Sequence, residues 1–316
     1  MDYIVFDLEW NQCPYGKERE VARLPFEIIE IGAVKLDSSL KQVSTYHTLI
    51  NPKVYRTLHY RTREIVGLTT KDLKQGKPFV TAVREFFSWA GPEAVFCTWG
   101  TTDLTELQRN LSFYGLLHLF KGPCQFLNVQ KLFAIQYENT KSRRSLEYAV
   151  DFLKLEKDEN FHRALADAEY TGRILSTIDP SVILSCDSID TYQNPTSKEN
   201  EIHAVYNGYS KYISRSFPTK EEAMADKEVR STYCCVCGRE AKKKLRWFST
   251  GTRAYYCTAV CPVHGYIKGK IKTQHAMDGG IFVIKTIKVS YGEEAEAIQQ
   301  KKEALRVKRR KARHKE

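Results

Sequence analysis

"DYIVFDLEWNQ" occupies residues 2–12 and joins an apolar run to two carboxylates. A continuous apolar run of this length is typical of a strand that is covered on both faces. Because side chains at positions i and i+2 of a strand point to the same side, we expect Asp7 and Glu9 to face one spot. Two ionised carboxylates in a partly buried site repel each other and lose hydration, and a bound cation relieves both costs. The stretch therefore predicts a buried strand that ends at a cation site, unless both acids simply lie in water.

The composition limits the class of protein. The chain has 316 residues, of which 42% are hydrophobic and 28% charged, and this is ordinary for a globular protein with up to two domains. No stretch approaches ~18 uninterrupted apolar residues, and no basic region precedes the first apolar run. We therefore expect no membrane-spanning helix, no signal peptide, no membrane partner and a cytoplasmic location.

The cysteines are distributed unevenly. Nine are present, which suits a reducing compartment, and five of them lie within one short region. Such clustering favours metal binding over disulfides. The clustered cysteines are Cys234, Cys235, Cys237, Cys257 and Cys261.

The positive charge is concentrated near the C-terminus. Residues 301–316 contain nine Lys or Arg and two Glu, so +7 of the formal net charge of +11 lies in this tail. A basic segment of this kind favours a polyanionic partner, most commonly nucleic acid. The alternative is a solvated tail that only aids solubility.

The hydrophobic pattern divides the chain into four segments. Residues 1–178 read as an α/β unit, 179–230 as a linker with a short helix, 231–292 as a small β module and 293–316 as a basic tail. In the first segment, three successive strands are followed by strands that alternate with helices, which predicts a mixed five-stranded sheet flanked by helices. The predicted strands cover residues 3–6, 26–36, 42–50, 94–99 and 124–129, and the helices cover residues 78–90, 102–114, 129–136, 144–153 and 164–177.

Three further polar residues extend the acidic pair. Asp103 follows a predicted strand at the start of a helix, and His162 and Asp167 lie at the opening of another helix. His162 and Asp167 cannot share one helical face, because five steps of ~100° leave them ~140° apart. We therefore expect His162 on a mobile loop that leads into the helix and Asp167 on its first turns. A mobile imidazole beside a fixed carboxylate suits a metal-assisted hydrolase.

This ordered set resembles the DEDDh family of 3′ to 5′ exonucleases, whose fold is RNase H-like. It comprises Asp7-x-Glu9, Asp103 in the context Trp-Gly-x-x-Asp, and His162-x-Ala164-x-x-Asp167. Four further stretches are similar to the subgroup that contains KapD-type bacterial proteins and the histone-mRNA 3′-end exonucleases. They are PFEIIEIGAV (25–34), INP (50–52), IVGLT (65–69) and RSLEYAV (144–150), and the resemblance covers residues 1–178.

The resemblance implies an activity and a set of ligands. It implies a two-metal-ion 3′–5′ exonuclease that acts on single-stranded nucleic acid, with RNA favoured and DNA possible, and that releases nucleoside 5′-monophosphates without a nucleotide cofactor. Carboxylate oxygens favour Mg²⁺ or Mn²⁺ over softer metals. By resemblance, Asp7, Glu9 and Asp167 would hold the ion that binds the nucleophilic water. Asp7 and Asp103 would hold the second ion, and His162 would be the general base.

Trp10 marks one departure from the family pattern. Many members have threonine after the second acid, whereas this chain has Trp10. Its indole either stacks on a terminal base or packs in the core. We favour packing, because tryptophans beside strands are more often structural.

Two short motifs predict a zinc site. Cys234-x-x-Cys237-Gly and Cys261-x-x-His264-Gly each offer two ligands three positions apart, followed by a glycine that allows the tight turn behind the metal. Together they form a Cys₃His site for one structural Zn²⁺, in which Cys257 is an alternative to His264 as the fourth ligand. The other interpretation is a set of buried reduced cysteines.

Basic and aromatic residues surround these motifs, in KKKLRWFSTGTRAYY (242–256) and GYIKGKIK (265–272). Lysines neutralise phosphates and aromatic rings stack on bases, so the module fits single strands of RNA or DNA, although some of the rings must form its core.

Two other functions stay open. One is a DNA proofreading or repair exonuclease, and the other is a non-catalytic nucleic-acid-binding protein.

Overall fold

The computed structural model describes residues 2–138, 143–157, 161–251 and 253–313. The chain forms two compact units, Met1–Tyr192 and Gln193–Glu316. Within the described residues, no helix combines the length and the apolar character that a membrane crossing requires.

A mixed sheet forms the centre of the first unit. Its strands are β1 (Tyr3–Gln12), β2 (Phe26–Leu36), β3 (Gln42–Leu49), β4 (Val95–Thr98), β5 (Gln125–Asn128) and β6 (Ser188–Ile189). They lie in the order β3-β2-β1-β4-β5-β6, with β1 antiparallel to β2 and parallel to β4. This confirms the predicted mixed α/β sheet, to which the two-residue β6 adds a sixth strand at one edge.

Helices cover both faces of this sheet. They are α1 (Tyr60–Val66), α2 (Thr70–Lys74), α3 (Phe79–Ala90), α4 (Thr102–Phe113), α5 (Val129–Phe133), α6 (Leu146–Phe152), α7 (Ala164–Leu175) and α8 (Pro180–Ser185). Ile4 and Phe6 of β1 pack in a core shared with α3 and α4, whereas Val5 packs in a core shared with α5, α6 and α7. Burial on both faces is why β1 begins as an uninterrupted apolar run.

A close approach between β2 and α7 positions the acidic residues. Asp7 lies directly opposite Gly32 in the register of β1 with β2. A side-chain carbon added at Gly32 would lie 2.0 Å from the backbone nitrogen of Leu165 in α7. Only glycine permits this approach. It allows the first turn of α7, which carries Asp167, to pack directly on β1 and β2.

The second unit is built on an antiparallel sheet. Its strands are β7 (Ile202–Tyr206), β8 (Tyr209–Ile213), β9 (Lys242–Ser249), β10 (Ala254–Cys261), β11 (Gly265–His275) and β12 (Ile281–Val289), and its helices are α9 (Lys220–Ala225), α10 (Lys227–Arg230) and α11 (Gly292–Arg313). The strand order is β7-β8-β12-β11-β10-β9. Ala223 of α9 and Val229 of α10 pack on Ile271 and Val283. We call the buried face that these residues share the inner face of this sheet.

The structure divides the chain differently from the hydrophobic pattern. The first unit extends to Tyr192, so residues 179–192 of the predicted linker belong to it through α8 and β6. Residues 202–213 of the predicted linker form β7 and β8, which extend the second sheet. Within the predicted tail, 293–316, the residues up to Arg313 belong to α11, and residues 314–316 lie outside the described residues.

Candidate functional site

The predicted acids lie on three elements of the first unit, and the strand predicted for residues 3–6 continues through both of the first two acids to Gln12. Asp7 and Glu9 lie on β1. Asp103 lies in the first turn of α4 and Asp167 in the first turn of α7. The backbone N–H of Leu8, between Asp7 and Glu9, partly offsets the rise in the pKa of the Asp103 carboxyl, and α4 contacts β1. The fold therefore brings together the four carboxylates that the sequence pattern connects.

His162 joins this cluster from the position before α7. Glu9, His162 and Asp167 offer ligand atoms that all lie within 4.8 Å of one another. His162 has a left-handed backbone with φ of 65°, and its N–H donates to Asp167 Oδ2 at 3.2 Å. The imidazole is exposed whereas Asp167 is buried, in agreement with a loop histidine beside a helix-fixed carboxylate. Residues 158–160, which the sequence pattern also assigns to this loop, lie outside the described residues.

Burial makes these carboxylates weak acids. Burial, with repulsion from Asp103 and Asp167, raises the pKa of Asp7 well above its usual range. Burial also raises the pKa of Glu9 to about 8, of Asp103 to about 7 and of Asp167 to about 6, and neighbouring acids add to each shift. Within the described residues, Asp167 Oδ1 is buried and accepts no hydrogen bond. An oxygen-rich cluster with such an oxygen fits a hard divalent cation such as Mg²⁺ or Mn²⁺.

A buried ion pair beside the cluster was not predicted from the sequence. Glu30 lies opposite Glu9 in the sheet, and its side chain is fully buried. Arg163 Nη2 donates to Glu30 Oε1 at 2.9 Å, and His47 Nε2 lies 2.7 Å from the same oxygen. Burial favours protonation of Glu30, but the hydrogen bonds from His47 and Arg163 outweigh it and hold its pKa below the usual value. Because Arg163 follows His162 directly, the pair anchors the end of the His162 loop to β2.

Trp10 contributes to packing. Its ring centroid lies 5.8 Å from that of Phe26, and the side chain is half-buried against the core that contains Phe6. These contacts support the structural interpretation of Trp10 over stacking on a terminal base.

Cation binding to the acidic cluster is expected to release protons at pH 7. The metal-free cluster retains protons at this pH, since burial raises the pKa of Glu9 to about 8 and of Asp103 to about 7. A bound cation displaces them. Calorimetric titration with Mn²⁺ should therefore give different heats in two buffers that differ in ionisation enthalpy, and Glu9→Gln should narrow the difference. Equal heats for the wild type in both buffers would contradict the raised pKa values.

The cysteine motifs converge in the second unit. Cys234, Cys237, Cys261 and His264 offer ligand atoms that all lie within 4.8 Å of one another. Cys237 Sγ lies 3.6 Å from Cys261 Sγ, and His264 Nδ1 lies 3.6 Å from Cys234 Sγ and 3.8 Å from Cys261 Sγ. Tetrahedral zinc with bonds of about 2.3 Å to sulfur and about 2.0 Å to nitrogen places its ligand atoms about 3.5–3.8 Å apart. The four side chains therefore fit one zinc ion.

Backbone donors support the thiolate form in this cluster. Hydrogen bonds from the backbone N–H groups of Val263 and His264 lower the pKa of Cys261 to about 6. The thiolate is the form of cysteine that binds metal. These two N–H groups belong to the turn that follows Cys261, in which Gly265 has a positive φ of 71°.

Cys257 lies apart from this cluster. It is buried in β10 opposite Gly269 of β11, and a side-chain carbon at Gly269 would lie 2.5 Å from Cys257 Sγ. Cys257 is thus packed on the inner face of the sheet. Among the described residues, the geometry favours His264 over Cys257 as the fourth ligand.

Comparison with known proteins identifies a family and several relatives. The family described as "Exonuclease" matches residues 4–175. The probable 3'-5' exonuclease KapD of Bacillus subtilis (strain 168) is 29% identical over 146 residues, 45% of this chain and 66% of the relative. The PolC-type DNA polymerase III of the same organism is 25% identical over 173 residues, 55% of this chain and 11% of the relative.

One solved structure is similar to this chain over part of its length. The nuclease domain of 3'hExo, a DEDDh family member bound to rAMP, matches with a TM-score of 0.49 and 20% identity, over 55% of this chain and 90% of that chain.

The chain spans just under two thirds of the first curated relative and about a ninth of the second. The family match lies within the first unit and does not reach the second.

Proposed function

Because the chain belongs to the exonuclease family, we propose that its first unit hydrolyses single-stranded nucleic acid from the 3′ end and releases nucleoside 5′-monophosphates. The observation that carries the proposal is a cluster of four carboxylates beside the exposed His162. In this cluster Asp7 and Glu9 are half-buried, and Asp103 and Asp167 are buried. RNA is the favoured substrate and DNA is possible.

The four carboxylates would hold two Mg²⁺ or Mn²⁺ ions. Asp7, Glu9 and Asp167 are assigned to one ion, and Asp7 and Asp103 to the other. Two such ions supply an activated water, neutralise charge on the scissile phosphate and stabilise the leaving oxygen. Asp103 and Asp167 are buried and have little contact with water, which strengthens their attraction for cations.

His162 is assigned as the general base. It is the exposed member of the cluster, so its imidazole can accept a proton from water at the substrate side. The backbone N–H of His162 donates a hydrogen bond to Asp167, which fixes the backbone of the histidine. The next residue, Arg163, is anchored by its hydrogen bond to Glu30. These contacts hold the imidazole close to Glu9 and Asp167 without burying it.

We also assign a structural Zn²⁺ to Cys234, Cys237, Cys261 and His264 in the second unit. The support is the set of ligand-atom distances, which match a tetrahedral site. All four positions are filled by protein side chains, and this is typical of structural rather than catalytic zinc.

A DNA proofreading or repair exonuclease is the second candidate. The observation that favours it is the similarity of this chain to the PolC-type DNA polymerase III over 173 residues. Because the chain spans only 11% of that relative, its activity on DNA is a separate question from membership in the family.

Digestion of 5′-labelled strands tests the proposal and the choice of substrate. Single-stranded RNA, single-stranded DNA and duplexes of both would be incubated with Mg²⁺ or Mn²⁺ and sampled over time. We expect ladders that shorten stepwise from the 3′ end, faster on RNA than on DNA. Immediate internal cuts would contradict the direction, and a faster ladder on DNA would favour the second candidate.

His162→Ala is expected to lower the turnover rate by roughly 10²- to 10⁴-fold, the usual contribution of a general base. Binding of a single strand should change little, because the loss lies in the transition state. His118→Ala is the matched control, since His118 is also exposed in the first unit and lies outside the cluster. If affinity and rate fall together, His162 positions the substrate instead.

A further inference from the structure

The two units carry opposite charge. Residues 193–316 contain 26 Lys or Arg and 13 Asp or Glu, which gives a net charge of +13. Residues 1–192 contain 23 Lys or Arg and 25 Asp or Glu, which gives a net charge of −2. The basic C-terminal tail explains only part of this, because the second unit without residues 301–316 still carries +6. The body of the second unit is therefore itself basic.

The excess charge lies largely on the sheet. The six strands of the second unit contain ten Lys or Arg and no Asp or Glu. In antiparallel pairs, residues directly opposite each other point to the same face. On β8, β11 and β12, the register therefore assigns five lysines to the face away from α9 and α10, which we call the outer face. They are Lys211, Lys268, Lys270, Lys272 and Lys288.

Aromatic rings on the outer face hold several ammonium groups in place. Lys270 Nζ and Lys301 Nζ lie 5.6 and 4.6 Å from the ring centroid of Tyr256. Lys302 Nζ lies 6.0 Å from the ring centroid of Phe248, which is opposite Tyr256 in the sheet. Each such contact attracts the ammonium group to the face of the ring. Two cations on one ring repel each other, so the arrangement favours an anion nearby.

Helix α11 adds cations to this face. Ile298 is buried, and Lys302 and Leu305 are half-buried, so this stripe of the helix packs on the sheet. From residue 306 onward the described side chains are exposed. Within the part of the chain that the structure describes, Lys270, Lys301 and Lys302 have no carboxylate within 4.0 Å, whereas Lys268 pairs with Glu294.

We propose that the outer face binds the phosphate backbone of a single-stranded nucleic acid. The proposal rests on the exonuclease function of the first unit for the kind of strand that is bound. Lysines contact phosphates, and the rings of Tyr256 and Phe248 keep three of these lysines in position. Backbone contacts carry no base identity. Binding is therefore independent of sequence and sensitive to salt.

Salt titrations on full-length protein test this surface. Both protein forms carry Asp7→Ala so that the strand is not degraded, and the probe is a fluorescent 20-nucleotide homopolymer. Each phosphate contact contributes about −0.7 to the log-log salt slope, so the triple change Lys270→Ala, Lys301→Ala and Lys302→Ala should flatten the slope by roughly 2. Tyr256→Phe keeps the ring and should leave the slope unchanged, whereas Tyr256→Leu should weaken binding.

The control removes equal charge elsewhere in the second unit. Lys198→Ala, Lys227→Ala and Arg239→Ala replace three exposed cations outside the strands and should leave the slope unchanged. Deleting residues 306–316 removes a net charge of +6 without touching the packed stripe. This deletion distinguishes the tail from the outer face. We call the triple change Lys270→Ala, Lys301→Ala and Lys302→Ala the sheet variant. If the outer face is the main contact, the deletion should flatten the slope by less than the sheet variant does.

Three outcomes would overturn the proposal. The first is an unchanged slope in the sheet variant together with a flattened slope in the control. The second is equal competition by polyglutamate, which would make the outer face a site for acidic polypeptides. The third is self-association of the protein that the sheet variant abolishes, which would make it an interface between copies. Digestion of short oligonucleotides by the same variants with Asp7 restored reports on the first unit separately, so failure of the two proposals can be told apart.

Discussion

Replacing Asp7 with alanine is expected to remove nuclease activity and, at the same time, to raise the stability of the metal-free protein. Asp7 is assigned to both cations, so its loss should disable both. Metal ions contribute several kcal/mol of transition-state stabilisation, so the rate should fall by at least about 10³-fold. Stability should rise because burial and the repulsion from Asp103, Asp167 and Glu9 all disfavour the Asp7 carboxylate.

The pH dependence of stability gives a second readout. Carboxyl groups in an unfolded chain titrate near pH 4, whereas burial raises the pKa of Glu9 to about 8 in the folded protein. Between these values the native state binds more protons than the unfolded chain, so the metal-free wild type should lose stability as the pH rises from about 4 to about 8. Asp7→Ala removes one of the titrating groups and should make this loss smaller.

Activity and thermal unfolding must be measured on the same preparation. Asp151→Ala is the matched control, because the Asp151 side chain is 61% exposed and pairs with Lys157 at the surface. It should change neither rate nor stability appreciably. Substantial turnover by Asp7→Ala with Mg²⁺ would rule out the assigned site. Loss of activity together with a lower unfolding temperature would mean that Asp7 is structural.

The first sheet could be predicted because its strands carry strong local signals. The apolar run that opens β1 is continuous and β2 is buried along most of its length, since both faces of these strands are covered by helices. The acidic site could be predicted for a related reason. Two of its acids lie in the first turns of α4 and α7, and the order of strands and helices brings these turns beside Asp7 and Glu9 on β1.

The hydrophobic pattern does not predict helices α1 and α2, because they are short. Seven and five residues give too little length for a helical period to be read. A local signal was available for α2. Thr69 and Asp72 form a capping box, and this pattern is visible in the sequence three residues apart.

The hydrophobic pattern assigns the β7–β8 hairpin to a linker, although its turn carries a strong signal. Asn207-Gly208 lies between the two strands, and Asn-Gly in a two-residue loop is the commonest hairpin turn. The strands themselves are five residues each and mix apolar with polar side chains. Of the two, β8 pairs with β12, which lies about 70 residues later in the chain, so its burial depends on a distant element.

The Glu30–Arg163 pair had no local signal that identified its partner. The two residues are separated by 133 positions and meet only when α7 packs on β2. A charged residue inside the buried run of β2 did indicate that some partner must exist, since an unpaired buried carboxylate is costly. The identity of that partner depends on the close approach of α7 to β2 at Gly32.

The fourth zinc ligand depends on the extent of one strand. If residues 257–261 formed a turn, the thiols of Cys257 and Cys261 could both reach one metal ion. In the structure both lie on β10, where four residues span about 13 Å. Cys257 therefore stays on the sheet, and His264 in the turn after β10 takes its place near the other three ligands.

Removing His264 is accordingly expected to cost the second unit its zinc and much of its stability, whereas removing Cys257 should not release the metal. Structural zinc sites of this kind contribute about 10–16 kcal/mol of binding free energy, which couples directly to folding. Elemental analysis should find one zinc per chain in the wild type and in Cys257→Ala, and substantially less in His264→Ala. The zinc should survive desalting that removes exchangeable Mg²⁺ or Mn²⁺.

The same variants separate the two metal centres. Trp247 packs against the core that contains Cys234 and Cys261, so its environment should change when the zinc is lost. Digestion of short oligonucleotides by His264→Ala should persist, because the acidic cluster belongs to the first unit. Wild-type protein purified without chelator and found free of zinc would refute the site. Full zinc content in His264→Ala with loss in Cys257→Ala would reverse the assignment of the fourth ligand, and would require β10 to end before Cys257 so that this thiol could turn toward Cys261.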